Sequence, residues 1–241
     1  MSSEALVPPD AGRVNARLSF ERRAKTCYRS AEGICDEDGS FTGSAALLVM
    51  AQPDPAVAQL VIPVPDVSNR GAFVSQIGED NRASVVQTAS DASADVRQQG
   101  ADNNAAVTQR GSGLGFADVR QTGDGNAATV EQDGSGQSVL YVVQTGGGNR
   151  AVSNQLTPGV SNNGAIMMQT GSDNLMTLIQ NDSGNTAALV QDGDRKDMTA
   201  VQNGLNNQLS WTQQGSGLSN LQITQPGGQA LQITQTNIGV R

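Results

Sequence analysis

The sequence predicts an all-β fold, a two-sheet β-solenoid of about seven coils of 22–23 residues, preceded by a segment without repeats. Three observations lead there. Glutamine recurs at positions 76, 87, 98, 109, 121, 132, 144, 155, 169, 180, 191, 202, 213, 225 and 235, mostly 11 or 12 residues apart. Residues two and four places before each glutamine are apolar in 29 of 30 cases, with Ser153 the exception. Large side chains are too few for an ordinary globular core: 37% of the 241 residues are hydrophobic and 3% aromatic, so any core must be thin and continuous.

Residues 1–71 carry no repeat. A basic cluster (Arg22, Arg23, Lys25) precedes the acidic run Asp36-Glu37-Asp38, and prolines at 8, 9, 53, 55, 63 and 65 interrupt any long helix. This part reads as largely disordered, with one short helix near 16–27. Ala45 to Ala51 is a short apolar run, and Ala56-Val57-Ala58 resembles the small-residue end of a secretory leader, but the run is short and the basic cluster distant. Cys27 and Cys35 leave two readings open, a disulfide formed after export or two free thiols.

From Ala72 to Gln235 the internal period dominates. In the frame ending at Gln87, Val85 and Ala83 occupy the alternate positions and Asn81 lies six places before the glutamine. The same frame places Asn103, Asn126, Asn149, Asn174, Asn185 and Asn207 before later glutamines. Charged residues in the five places before a glutamine fall only at odd offsets, as at Arg97, Asp118, Arg120 and Glu131. Strict alternation of period two is the mark of a strand with one buried face. Turns such as Gly78-Glu79-Asp80-Asn81 and Gly123-Asp124-Gly125-Asn126 supply residues that tolerate positive φ.

A meander of hairpins would not need glutamine at a fixed place in every strand. If each strand pairs with the next but one, the glutamines fall into two columns, each a run of side-chain amides that donate and accept along the stack. The asparagines can form columns in the same way. These residues would then set register, because a slip leaves buried amides unpaired at about 1–3 kcal/mol each. At about 4.8 Å per coil the rod would be about 36 Å long. Its last coil, with Leu231 and Ile233, is the expected polymerisation edge, and residues 236–241 form a short tail. Val139, Tyr141, Val143, Ile166 and Met168 point outward in this frame, as do Leu175 and Ile179; local crowding and a lateral contact stripe both account for them.

The motif Q-x-G-x-x-N-x-A-x-x-x-Q resembles the curlin repeat of bacterial curli proteins. It is complete at Gln76-Gly78-Asn81-Ala83-Gln87, Gln98-Gly100-Asn103-Ala105-Gln109, Gln121-Gly123-Asn126-Ala128-Gln132 and Gln144-Gly146-Asn149-Ala151-Gln155. Met176 replaces alanine in one later copy, and Asp182, Lys196 and Leu209 mark further drift. The resemblance implies a structural subunit of extracellular amyloid fibres, with its own copies and other curlin subunits as partners. It also implies export through a dedicated outer-membrane pore and a role in adhesion and biofilm matrix. Within the family the major subunit and the nucleator share these repeats.

Other classes find less support. A net charge of −8 lacks the basic footprint of a nucleic-acid binder. No apolar run approaches a membrane span. The chain has no histidine, no catalytic triad and no recurring pair of carboxylates, so no enzyme, cofactor or metal site is expected. A calcium solenoid would need columns of carboxylates that turns 100–104 and 146–149 do not supply. The alternative that stays open is a solenoid that binds or adheres without polymerising.

Overall fold

The computed structural model describes residues 70–237, apart from 90 and 216, together with 60, 62 and 63. The expected helix near 16–27, the leader-like segment and both cysteines lie outside the described residues.

Fifteen strands follow one another: β1 (Gly71–Ile77), β2 (Arg82–Gln87), β3 (Asp91–Gln99), β4 (Asn104–Gln109), β5 (Leu114–Thr122), β6 (Ala127–Gly134), β7 (Ser138–Gly147), β8 (Arg150–Thr157), β9 (Asn163–Ser172), β10 (Leu175–Asn181), β11 (Thr186–Asp192), β12 (Asp197–Gln202), β13 (Gln208–Gly215), β14 (Leu221–Gln225) and β15 (Ala230–Asn237). The odd-numbered strands form an eight-stranded sheet, sheet A, and the even-numbered ones a seven-stranded sheet, sheet B. Every pairing is parallel and joins a strand to the next but one, which is the two-sheet solenoid.

The alternation of the sequence becomes the two faces of each sheet. Ala94, Val96, Ala117, Val119, Leu140, Val142, Ala165, Met167, Ala187 and Leu189 of sheet A pack against Ala105, Val107, Ala128, Val130, Ala151, Met176, Leu178, Met198 and Ala200 of sheet B in one buried cluster. Alanines keep the sheets close in the early coils. Trp211 of β13 is the bulkiest side chain of this cluster and has no exposure. Ser153, the polar exception, has a buried hydroxyl with no hydrogen-bond partner among the described residues.

Several strands of sheet A run past their glutamine, so that Gly146 and Gly147, which the sequence reads as a turn, extend β7 and pair with Gly171 and Ser172. Glycine permits this because consecutive coils approach closely at the corner. A Cβ on Gly123, whose φ is +105°, would lie 2.2 Å from the carbonyl oxygen of Gly146, and one on Gly146 would lie 2.1 Å from that of Gly171. Two residues on, the turn needs positive φ but leaves room: Asp102, Asp173 and Arg195 adopt it at 56°, 58° and 54° where another coil has Gly125.

Candidate functional site

Parallel pairing in register places glutamine beside glutamine in every rung, from Gln76 beside Gln98 to Gln213 beside Gln235 in sheet A, and from Gln87 beside Gln109 to Gln202 beside Gln225 in sheet B. Each side-chain nitrogen donates to the oxygen of the next glutamine in its column. In sheet A the bonds measure 2.6–3.1 Å through Gln76, Gln98, Gln121, Gln144, Gln169, Gln191, Gln213 and Gln235. In sheet B they measure 2.7–2.9 Å through Gln87, Gln109, Gln132, Gln155, Gln180, Gln202 and Gln225. The second hydrogen of most of these amides reaches a main-chain oxygen of the preceding strand: Gln98 to Arg82, Gln109 to Ser93, Gln144 to Ala127. A buried glutamine in mid-column therefore makes three bonds, two along the rod and one across its core.

The asparagines form shorter columns at the strand entries. Asn103 donates to Asn81, Asn126 to Asn103, Asn149 to Asn126 and Asn174 to Asn149 at 2.9–3.1 Å. Each also caps a corner carbonyl of the next coil, as Asn126 does at Gly146 over 2.9 Å. On the opposite corner Asn207 donates to Asn185 at 3.1 Å, and the main-chain N–H of Asn185 donates to Asn163 at 3.0 Å. Asn163 was not among the residues singled out from the sequence, although it lies six places before Gln169. The widened spacing around Thr157-Pro158-Gly159 obscured its place, and the count back from Gln169 is the signal that finds it.

Lys196 interrupts the first asparagine column. Its main-chain N–H still donates to Asn174 at 3.2 Å, but its side chain, 1% exposed, turns its ammonium to the carbonyl of Asp192. Burial holds its pKa below the ordinary 10.5, against the opposing pull of Asp192 and Asp194. The folded state thus gives up this proton at lower pH than the unfolded chain. Its contribution to stability rises as pH climbs from the lowered value toward 10.5. Lys196→Asn should raise the unfolding free energy at pH 7 by about 1–3 kcal/mol, since it replaces a buried charge with an amide that fits the column. Denaturant titrations should show that advantage shrinking at alkaline pH; an equal or lower midpoint at pH 7 would contradict this account.

The outer face of sheet A differs along the rod. Asp95 and Asp118 bind Arg97 and Arg120 through ion pairs of 2.6 and 2.8 Å, and Arg97 lies over the ring of Phe73. Burial raises the pKa of Asp118 despite its hydrogen bond to Arg120. Farther along come Tyr141 and Ile166, then Ala188 and Ser210. Among the described residues no three His, Cys, Asp or Glu side chains cluster as metal ligands, and no helix is long and apolar enough to cross a membrane.

Among the described residues the ends of the solenoid are parallel edges without a further strand. β1 and β2 lie at one end and β14 and β15 at the other. Positions that are buried in the middle coils are exposed here, including Val74 at 44% and Leu231 at 40%, while Ile233 is partly buried. Among the described residues nothing donates to the side-chain oxygens of Gln76 and Gln87. At the far end Gln235 accepts from Gln213 and Trp211.

Residues 116–140, spanning Gln121, Gly123, Asn126, Ala128 and Gln132, match the family model described as the curlin associated repeat. No curated protein and no solved structure matches the chain.

Proposed function

We propose that this chain, a curlin-repeat protein, is a structural subunit of extracellular amyloid fibres that grow by end-to-end stacking of solenoids and serve surface adhesion and biofilm matrix. The observation that carries this reading is the single sense of the glutamine columns. Every bond runs from the amide nitrogen of one coil to the oxygen of the next, so the β1 end offers acceptors where the β15 end offers the Gln235 donor. Head-to-tail contact matches donor to acceptor. Head-to-head contact sets like against like. Open parallel edges that most proteins protect are, in this reading, the growth surfaces.

Joining β15 to β1 of the next subunit sets Gln235 beside Gln76, Ile233 beside Val74 and Leu231 beside Ala72, continuing the existing register. Sheet B holds one described strand fewer than sheet A. A junction continuous in both sheets therefore needs one further strand between β14 and the next β2, supplied from outside β1–β15. Other curlin subunits are partners through the same edge chemistry, and the curli-type secretion pore is the expected export route.

Charge at the edge tests the reading. Leu231→Lys together with Ile233→Lys should slow seeded elongation at least about tenfold, because two ammonium groups would face the growing contact. Hydrogen exchange over β5 to β9 should be unchanged. Elongation at the wild-type rate would place growth elsewhere.

A further inference from the structure

Outward residues of a two-sheet solenoid face water, yet three apolar ones on sheet A do not. Val139 and Ile166 are 2% exposed and Ala188 is 1% exposed. Register places them together: Val139 pairs with Gly164, and Ile166 lies between Tyr141 and Ala188. The outward apolar residues Leu175 and Ile179 of sheet B remain partly exposed. Two residues of the chain's own upstream part reach this face of sheet A beside them. Ile62 rests on Gly164: a Cβ there would come within 3.1 Å of its Cδ1 and 3.3 Å of its Cβ. The Tyr141 hydroxyl donates to the Pro63 carbonyl at 3.1 Å.

Gly164 has an ordinary strand φ, so its backbone does not require glycine. Space requires it. A side chain at 164 would meet Ile62, and its lack makes a dimple walled by Val139 and Ile166. The tilted Phe116–Tyr141 ring pair, with centroids 5.5 Å apart, stands beside it. Pro63 has no N–H to leave unpaired in a segment that lies on the face of a sheet rather than along its edge. The reach is also short. β1 and β7 are three strand spacings apart in sheet A, about 14 Å, whereas the eight Cα steps from Pro63 to Gly71 can extend about 26 Å.

We propose that the outer face of sheet A carries a peptide-docking groove centred on Gly164, that its occupant is the chain's own Ile62-Pro63 pair, and that this strap masks the apolar patch through which two rods would otherwise associate side by side. The docking stands by itself; the masking role rests on the fibre reading. With the strap in place Val139, Ile166 and Ala188 are closed to a second rod. With it displaced they join Val143, Met168 and Val190 in one apolar surface across β7, β9 and β11.

A designed disulfide in the full chain tests the docking. In a Cys27→Ser, Cys35→Ser background, Ile62→Cys with Gly164→Cys brings the two Cβ positions to 3.3 Å, close to disulfide geometry. Ile62→Cys with Thr177→Cys, on the outer face of sheet B, is the control. Thiol alkylation of the monomer should show the first pair oxidising at least about tenfold faster, as its higher effective concentration requires. Equal rates would overturn the proposal. For masking, Ile62→Asp should thicken fibres into lateral bundles while the oxidised pair stays as single filaments; equal widths would overturn that part. A chain that forms no fibres sinks the fibre reading but leaves the oxidation rates to decide docking, and sedimentation of Ile62→Asp then decides masking: self-association upholds it, a monomer overturns it.

Discussion

Replacing Gln144 by alanine should lower the unfolding free energy of the solenoid by about 3 kcal/mol or more. Three bonds end at this side chain: it accepts from Gln121 at 2.8 Å and donates to Gln169 at 2.9 Å and to the Ala127 carbonyl at 3.0 Å. All three partners stay behind with their bond to this residue gone, and buried groups in that state cost about 1–3 kcal/mol each. Gln144→Leu, which keeps the volume, should cost nearly as much, separating the loss of bonds from the loss of packing. Gln99→Ala, one place beyond the column and exposed, should cost less than about 0.5 kcal/mol. Denaturant midpoints of the soluble chain read all three. If the leucine variant matched the wild type, the columns would be bystanders and register would belong to the apolar pairs alone.

A single methyl at the corner should be as damaging. Gly123→Ala has to place its Cβ where the carbonyl oxygen of Gly146 stands, at a separation of 2.2 Å, and has to do so at a φ of +105°. That neighbour is backbone, not a side chain that can swing away. The coils must part locally, which breaks the bond from Asn126 to the Gly146 carbonyl and loosens Asn149 above it. The expected loss is about 3 kcal/mol or more, with fast hydrogen exchange from β4 to β7. Gly125→Asn provides the contrast. Its φ of 67° resembles that of Asn206 at 60°, and its nearest obstacle is the Gly148 nitrogen at 3.9 Å. That variant should stay within about 0.5 kcal/mol of the parent. Equal effects of the two would mean that turn conformation, not the approach of the coils, governs the corner.

These two cases also mark how far the sequence could be read. The glutamine column was legible because one residue type recurred at one place in an alternating strand, and only stacking gives that recurrence a physical use. The corner was less so. Gly123 and Gly125 look alike as turn glycines, and only the distance between coils separates one that excludes any side chain from one that does not. Asn163 fell outside the sequence reading because a longer turn displaced it in the spacing. Outward Val139 and Ile166 left crowding and a lateral stripe both open; the structure adds a third answer, since Ile62 and Pro63, more than seventy residues upstream, reach Gly164 and Tyr141 beside them. Sequence alternation tells which face a residue takes but not what else reaches that face.

The central claim is polymerisation of this solenoid through its open edges, and growth of the purified chain from denaturant tests it most directly. At neutral pH, thioflavin fluorescence should rise after a lag that preformed fibres abolish, and aligned fibres should give a meridional reflection near 4.7 Å from strands stacked along the axis. A β-rich monomer that stays soluble for days, with or without seeds, would contradict the account and leave the same solenoid to a protein that binds without assembling.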